Sequence, residues 1–156
     1  MWDDLRKAWA VERELLSRLE EVYRPLLGEL VGGKQPTGIQ TAALATVLHS
    51  FYNGVENTFK RIALGTDGRL PRGGAWHREL LDSMASRTPT RATVISQSLH
   101  DRLEEYLRFR HRFRHAYSFQ LDWEEMCPLA RALDETLSSF ETQVGAFLEG
   151  ASDRSG

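Results

Sequence analysis

Ten consecutive residues, Arg108-Phe109-Arg110-His111-Arg112-Phe113-Arg114-His115-Ala116-Tyr117, hold four arginines, two histidines and a tyrosine. Four residues separate Arg110 from His115, and one separates His115 from Tyr117. An arginine clamps two phosphate oxygens in a planar fork. A histidine moves a proton near neutral pH. A cation, an imidazole and a phenol this close together suit chemistry on a phosphate.

The rest of the chain is ordinary, which makes the stretch stand out. The formal net charge over 156 residues is -2, so any affinity for nucleic acid must come from a local patch. A hydrophobic share of 41% and a charged share of 27% fit one soluble globular domain. The expected division is a single helical domain over residues 1–150 and a loose tail over 151–156. One cysteine, Cys127, rules out an internal disulfide and is expected as a small core residue. The start, Met1-Trp2-Asp3-Asp4, carries acid where a secretion signal carries base. With no apolar run of membrane-spanning length, a cytoplasmic protein is expected.

Helical periodicity runs almost throughout. Leu5, Trp9, Leu16, Leu19, Tyr23, Leu26 and Leu30 mark one face of a long first helix, with a kink expected near Pro25. Leu44, Val47, Leu48, Phe51, Tyr52, Val55, Phe59 and Ile62 form an unbroken second stripe, with Thr37 as its cap. A glycine-rich loop over 65–74 precedes a short helix carrying Trp76, Leu80, Leu81 and Met84. Thr88-Pro89 reads as the start of a fourth helix with the stripe Ile95, Leu99, Leu103, Tyr106 and Leu107. Asp122 and Glu125 read as a capping pair for a fifth helix. The expectation is an all-α, up-and-down bundle of four long helices and one short.

Extending the fourth stripe by its own period puts Arg110 and His111 where leucine belongs. A buried charge must be paired, lie at an interface or line a cleft. Arg108, Arg112 and Arg114 fall to the sides, where they suit either a phosphate backbone or plain solvent. His111 and His115 share a helical face, but neighbouring arginines repel a divalent cation and no glutamate follows the first histidine, so no metal is expected. His49, His77 and His100 stand alone and read as surface or hydrogen-bonded structural residues. Gly28 to Gln35 nearly spells a phosphate-binding loop, yet glutamine replaces its Ser or Thr and a helix precedes it. No glutamate stands three residues before a histidine, so a di-iron bundle is excluded.

With Arg110-His111-Arg112-Phe113-Arg114-His115 and Tyr117 in view, the chain resembles HEPN-domain proteins of the HepT type. Phe51 to Ala63 resembles that family's second helix, and Asp122-Trp123-Glu124-Glu125 its restart after the motif. Arg108 offers a second register, with six residues between it and His115; Arg110 has the spacing that goes with the tyrosine. The resemblance implies a homodimeric, metal-independent endoribonuclease, the toxin of a HEPN/MNT toxin–antitoxin pair. It implies Arg110 and His115 as catalytic residues, with no cofactor. His115 would serve as base on the RNA 2′-hydroxyl or as acid to the leaving oxygen. Arg108, His111, Arg112 and Arg114 would bind substrate. It also implies an antitoxin, a small nucleotidyltransferase that transfers AMP to Tyr117. Two other readings stay open: a non-catalytic HEPN module that binds a nucleotide or partner, and a plain helical adaptor.

Overall fold

The computed structural model describes residues 1–154. Five α-helices form the bundle, and the described residues contain no strand: α1 Trp2–Val31, α2 Gly38–Ile62, α3 Trp76–Met84, α4 Gln97–His115 and α5 Trp123–Arg154. The all-α bundle of four long helices and one short is therefore the fold. None of the helices is long and apolar enough to cross a membrane.

Helix α2 is the centre, packed by α1, α3, α4 and α5. Its start is set by Thr37, whose hydroxyl accepts from the Gln40 amide at 3.1 Å while the Gln40 side chain accepts from the Thr37 amide at 3.0 Å. Two orphan donors of the first turn are thereby satisfied. Every residue of its expected stripe is buried. Burial of this kind, at about 25 cal/mol per Å² of apolar surface, is what holds a bundle together.

Helix α1 continues through Pro25 to Val31 and buries Leu5, Leu16 and Leu30. Gly54 of α2 lets α1 approach closely: a Cβ there would lie 2.6 Å from Leu16 Cδ2 and 3.2 Å from Glu12 Oε1. Gly54→Ala would gain up to about 1 kcal/mol of helix propensity but overpack by about 1–3 kcal/mol. We expect a net loss near 1 kcal/mol, read as a lower urea midpoint.

Helix α4 starts later than the sequence suggests. Its cap is Ser96, whose hydroxyl accepts from the Leu99 amide at 3.1 Å. Thr88 and Pro89 instead belong to a turn in which the Thr88 amide donates to the Arg91 carbonyl at 3.0 Å. Buried Arg91 holds that turn, donating to the carbonyls of Ser83 and Ser86 and lying 3.2 Å from Asp67 Oδ2. Thr88 and Thr90 donate to the other oxygen of Asp67. The hydroxyl that would have capped a helix is thus taken by a distant carboxylate. Asp67 itself closes a π-helical turn, Ala63–Asp67, that extends α2 into the expected loop.

Asp122 caps α5, accepting from the Glu124 amide at 3.0 Å. Glu125 does not close the expected pair and turns to Arg112 at 3.4 Å. Helix α5 runs on through Arg154, so the boundary expected at Gly150 falls inside a helix. Ser155 and Gly156, the end of the expected tail, lie outside the described residues.

His100 ties α3 to α4. Its Nε2 lies 2.6 Å from Asp82 Oδ1 and its Nδ1 2.9 Å from Asp101 Oδ1. Burial alone would lower its pKa, but the hydrogen bonds to Asp101 and Asp82 raise it. Asp101 is held low by the same contact with His100. A raised histidine pKa adds stability that is complete below the unfolded value of 6.5 and lost as pH rises through the folded value. His100→Gln should therefore destabilise the bundle more at pH 6 than at pH 9 in urea titrations. Equal losses at both would contradict the doubly bonded imidazolium.

Candidate functional site: a basic cleft over a buried ion pair

The stripe of α4 carries Arg110 inward, where its side chain keeps 2% of its exposure. Its Nη1 donates to Glu56 Oε1 at 3.1 Å and to Asn53 Oδ1 at 3.0 Å. Its Nη2 donates to Glu56 Oε2 at 3.1 Å. The guanidinium lies over the Tyr52 ring, 5.0 Å from its centroid. Two parallel bonds to one carboxylate satisfy most of the desolvated charge. Only Nε is left without an acceptor. Of the three outcomes open to an inward arginine, the chain uses internal pairing and a cleft wall together.

His111 departs from the expectation. It lies on the exposed side of α4, because the stripe continues through Phe109 and Arg110 instead. Its ring meets that of His115 at 5.1 Å, one turn further on.

A cleft of about 750 Å³ opens beside this part of α4. Arg108, Arg110, His111, Arg112 and Arg114 line it, and His77 and Arg78 of α3 face them. Leu107, Pro128 and Leu129 give it an apolar wall. Arg108 is paired with Glu104 at 3.1 Å, which Arg78 also contacts, and Arg112 is paired with Glu125. Arg114 has no carboxylate partner among the described residues. The exposed pairs are weak, so a phosphate entering the cleft can displace them.

The structure thus brings together five of the seven residues marked in the sequence. His115, in the last turn of α4, and Tyr117, just beyond it, are exposed and do not line the cleft. Tyr117 is 71% exposed and its ring stacks parallel to that of Phe119, itself 83% exposed, at 5.5 Å. Its backbone is fixed by the Gln120 side chain, which accepts from the Tyr117 amide at 2.8 Å.

Four residues of this site escape the sequence reading. Asn53 and Glu56 sit on α2 and hold Arg110; His77 Nδ1 lies 2.7 Å from Glu56 Oε2. The available signal was Glu56 itself, a carboxylate on the buried stripe between Tyr52 and Phe59. An inward acid and an inward arginine on two helices call for each other. His49 is the fourth: its ring packs on Phe113 at 5.3 Å. Burial lowers its pKa, and the charges of Arg110 and Arg114 push the same way.

The sequence model of one protein family, described as HepT-like protein, matches residues 43–151. That span takes in α2 through α5, the cleft and the ion pair beneath it. No curated protein and no solved structure matches the chain.

Proposed function

The chain belongs to the HepT-like family, and from that membership we propose that it is a metal-independent endoribonuclease, the toxin of a toxin–antitoxin pair. The observation that carries this reading is the convergence of five arginine-motif residues on one cleft, with Arg110 anchored beneath. The 2′-hydroxyl of RNA is a nucleophile already held beside its phosphate, so no metal-bound water is needed. Attack forms a 2′,3′-cyclic phosphate and expels the 5′-oxygen. His115 transfers a proton in this step. Arg110, at the floor of the cleft, stabilises charge on the phosphorane-like transition state electrostatically. Arg108, His111, Arg112 and Arg114 hold the flanking phosphates. In a homodimer two such motifs face a shared groove, where the exposed His115 meets substrate. DNA, lacking the 2′-hydroxyl, resists.

Tyr117 is the site of control. Its exposure suits an acceptor for AMP, delivered by an MNT-type nucleotidyltransferase antitoxin. The added negative charge and bulk beside the arginines would exclude an RNA phosphate.

One observation favours a second reading. Both terminal nitrogens of Arg110 are engaged by Glu56 and Asn53. A HEPN module that binds a nucleotide or partner without cleaving it needs no freed guanidinium. Incubating total RNA in EDTA with wild type, His115→Ala and Arg110→Lys separates the two. Cleavage by wild type alone supports the nuclease; RNA binding without cleavage by wild type supports the binding module.

A further inference from the structure

We propose that the exposed ring of Phe119, stacked on Tyr117, is a platform for one unpaired nucleobase of the RNA whose phosphates lie in the arginine cleft. The assignment rests on the ribonuclease reading above and deepens it: the arginines hold phosphates, and Phe119 holds a base.

Two large apolar faces are left in water here. Every other phenylalanine, tyrosine and tryptophan among the described residues is at least partly buried, whereas Tyr117 and Phe119 stand open. Their planes differ by 6° with 5.5 Å between centroids, the offset parallel arrangement that ring quadrupoles favour. The outer face of Phe119 meets no further ring or cation among the described residues.

The backbone beneath the rings is tied at both ends. The Tyr117 amide donates to Gln120 Oε1 at 2.8 Å, and the Gln120 amide donates back to the Tyr117 carbonyl at 2.9 Å. Leu121 packs against the core and its amide donates to the Ser118 carbonyl at 3.3 Å. The single 3-10 turn Ser118–Gln120 is therefore closed, and the ring pair it carries loses little freedom when a ligand lands on it.

The neighbouring charge says what that ligand is. Three peptide links join Arg114 to Tyr117, so their Cα atoms lie within about 11 Å of one another. Arg114 lines the cleft and has no carboxylate partner among the described residues. An apolar protein surface over the rings would leave that guanidinium unmatched at its edge. A nucleotide supplies both needs, an anion for the arginine and a flat π-face for the ring. Cationic grooves beside open aromatic rings hold single strands in this way. A duplex hides its base faces, so the platform selects unpaired RNA. Stacking reads a face and not an edge, so discrimination among the four bases is small.

The probe is a fully 2′-O-methylated oligoribonucleotide, which cannot form the cyclic phosphate. It carries 2-aminopurine at each position in turn, a base whose fluorescence falls on stacking. Wild type is expected to quench one position. Phe119→Ala and Phe119→Leu should lose that quenching and bind about 10- to 100-fold more weakly, with thermal unfolding unchanged, whereas Phe119→Trp keeps the affinity. An abasic residue at the quenched position should weaken wild type as much as Phe119→Ala does, and cost that variant nothing further. Phe119→Ala should leave the dependence of log Kd on log salt as it is, while Arg114→Gln lowers its slope by about 1. An unchanged Kd in folded Phe119→Ala overturns the platform, as does Phe119→Leu binding as tightly as Phe119→Trp, or quenching at no position. A smaller mass of Phe119→Ala in light scattering overturns it too, and gives the rings to a second copy of the chain. A wild type that binds no RNA overturns the ribonuclease reading and takes the platform with it; a wild type and a Phe119→Ala that bind RNA alike remove the platform and spare that reading.

Discussion

Arg110→Ala lowers the stability of the bundle by about 3–5 kcal/mol, because it strands a buried carboxylate. Glu56 sits in the bundle with both oxygens turned to the Arg110 fork. With the guanidinium gone, the acid must stay charged without its partner or take up a proton, and either costs folding energy. The double variant Arg110→Met with Glu56→Leu removes both charges at once. Replacing a buried pair by apolar groups of similar volume is often neutral or stabilising, so the double variant should recover most of the loss. Urea unfolding of wild type, Arg110→Met, Glu56→Leu and the double variant measures the coupling directly. A single variant as stable as wild type contradicts the account, as does a double variant no better than the single. RNA cleavage should remain absent in both, which separates what the pair does for the fold from what it does for the site.

His115→Ala should do the reverse. The residue stands exposed in the last turn of α4, and among the described residues its ring meets only that of His111. Removing it should leave stability within about 0.5 kcal/mol of wild type. Turnover should fall by about 10²–10⁴-fold, the usual worth of one acid–base group. Initial rates on an RNA oligonucleotide, with thermal unfolding measured in parallel, decide the matter. Wild-type turnover in a folded His115→Ala protein would remove the residue from the reaction.

The contrast between these two variants follows from how each residue could be read. Local, periodic information was legible: the stripe of α2, the cap at Thr37 and the inward turn of Arg110 all follow from helical spacing. Long-range pairing was not. Glu56 and Arg110 lie 54 positions apart, and nothing in either local pattern names the other. His77 looked isolated for the same reason, since its carboxylate comes from another helix. The start of α4 was misplaced because Thr88 has two uses, a helix cap or a turn, and distant Asp67 and Arg91 decide for the turn. His111 was placed inward by a period that fits Arg110 but is satisfied on its other side by Phe109. The arginine cluster was plain in the sequence, whereas the cleft it lines with His77 and Arg78 needed α3 in place.

The central claim is that this basic cleft cuts RNA by using the substrate's own 2′-hydroxyl. It is tested most directly by incubating the purified protein in EDTA with an oligoribonucleotide and with its fully 2′-O-methylated counterpart, and weighing the products by mass spectrometry. The account predicts that only the unmodified strand is cut, leaving a 2′,3′-cyclic phosphate and a 5′-hydroxyl. Cleavage of the methylated strand, or products ending in a 3′-hydroxyl and a 5′-phosphate, would contradict it.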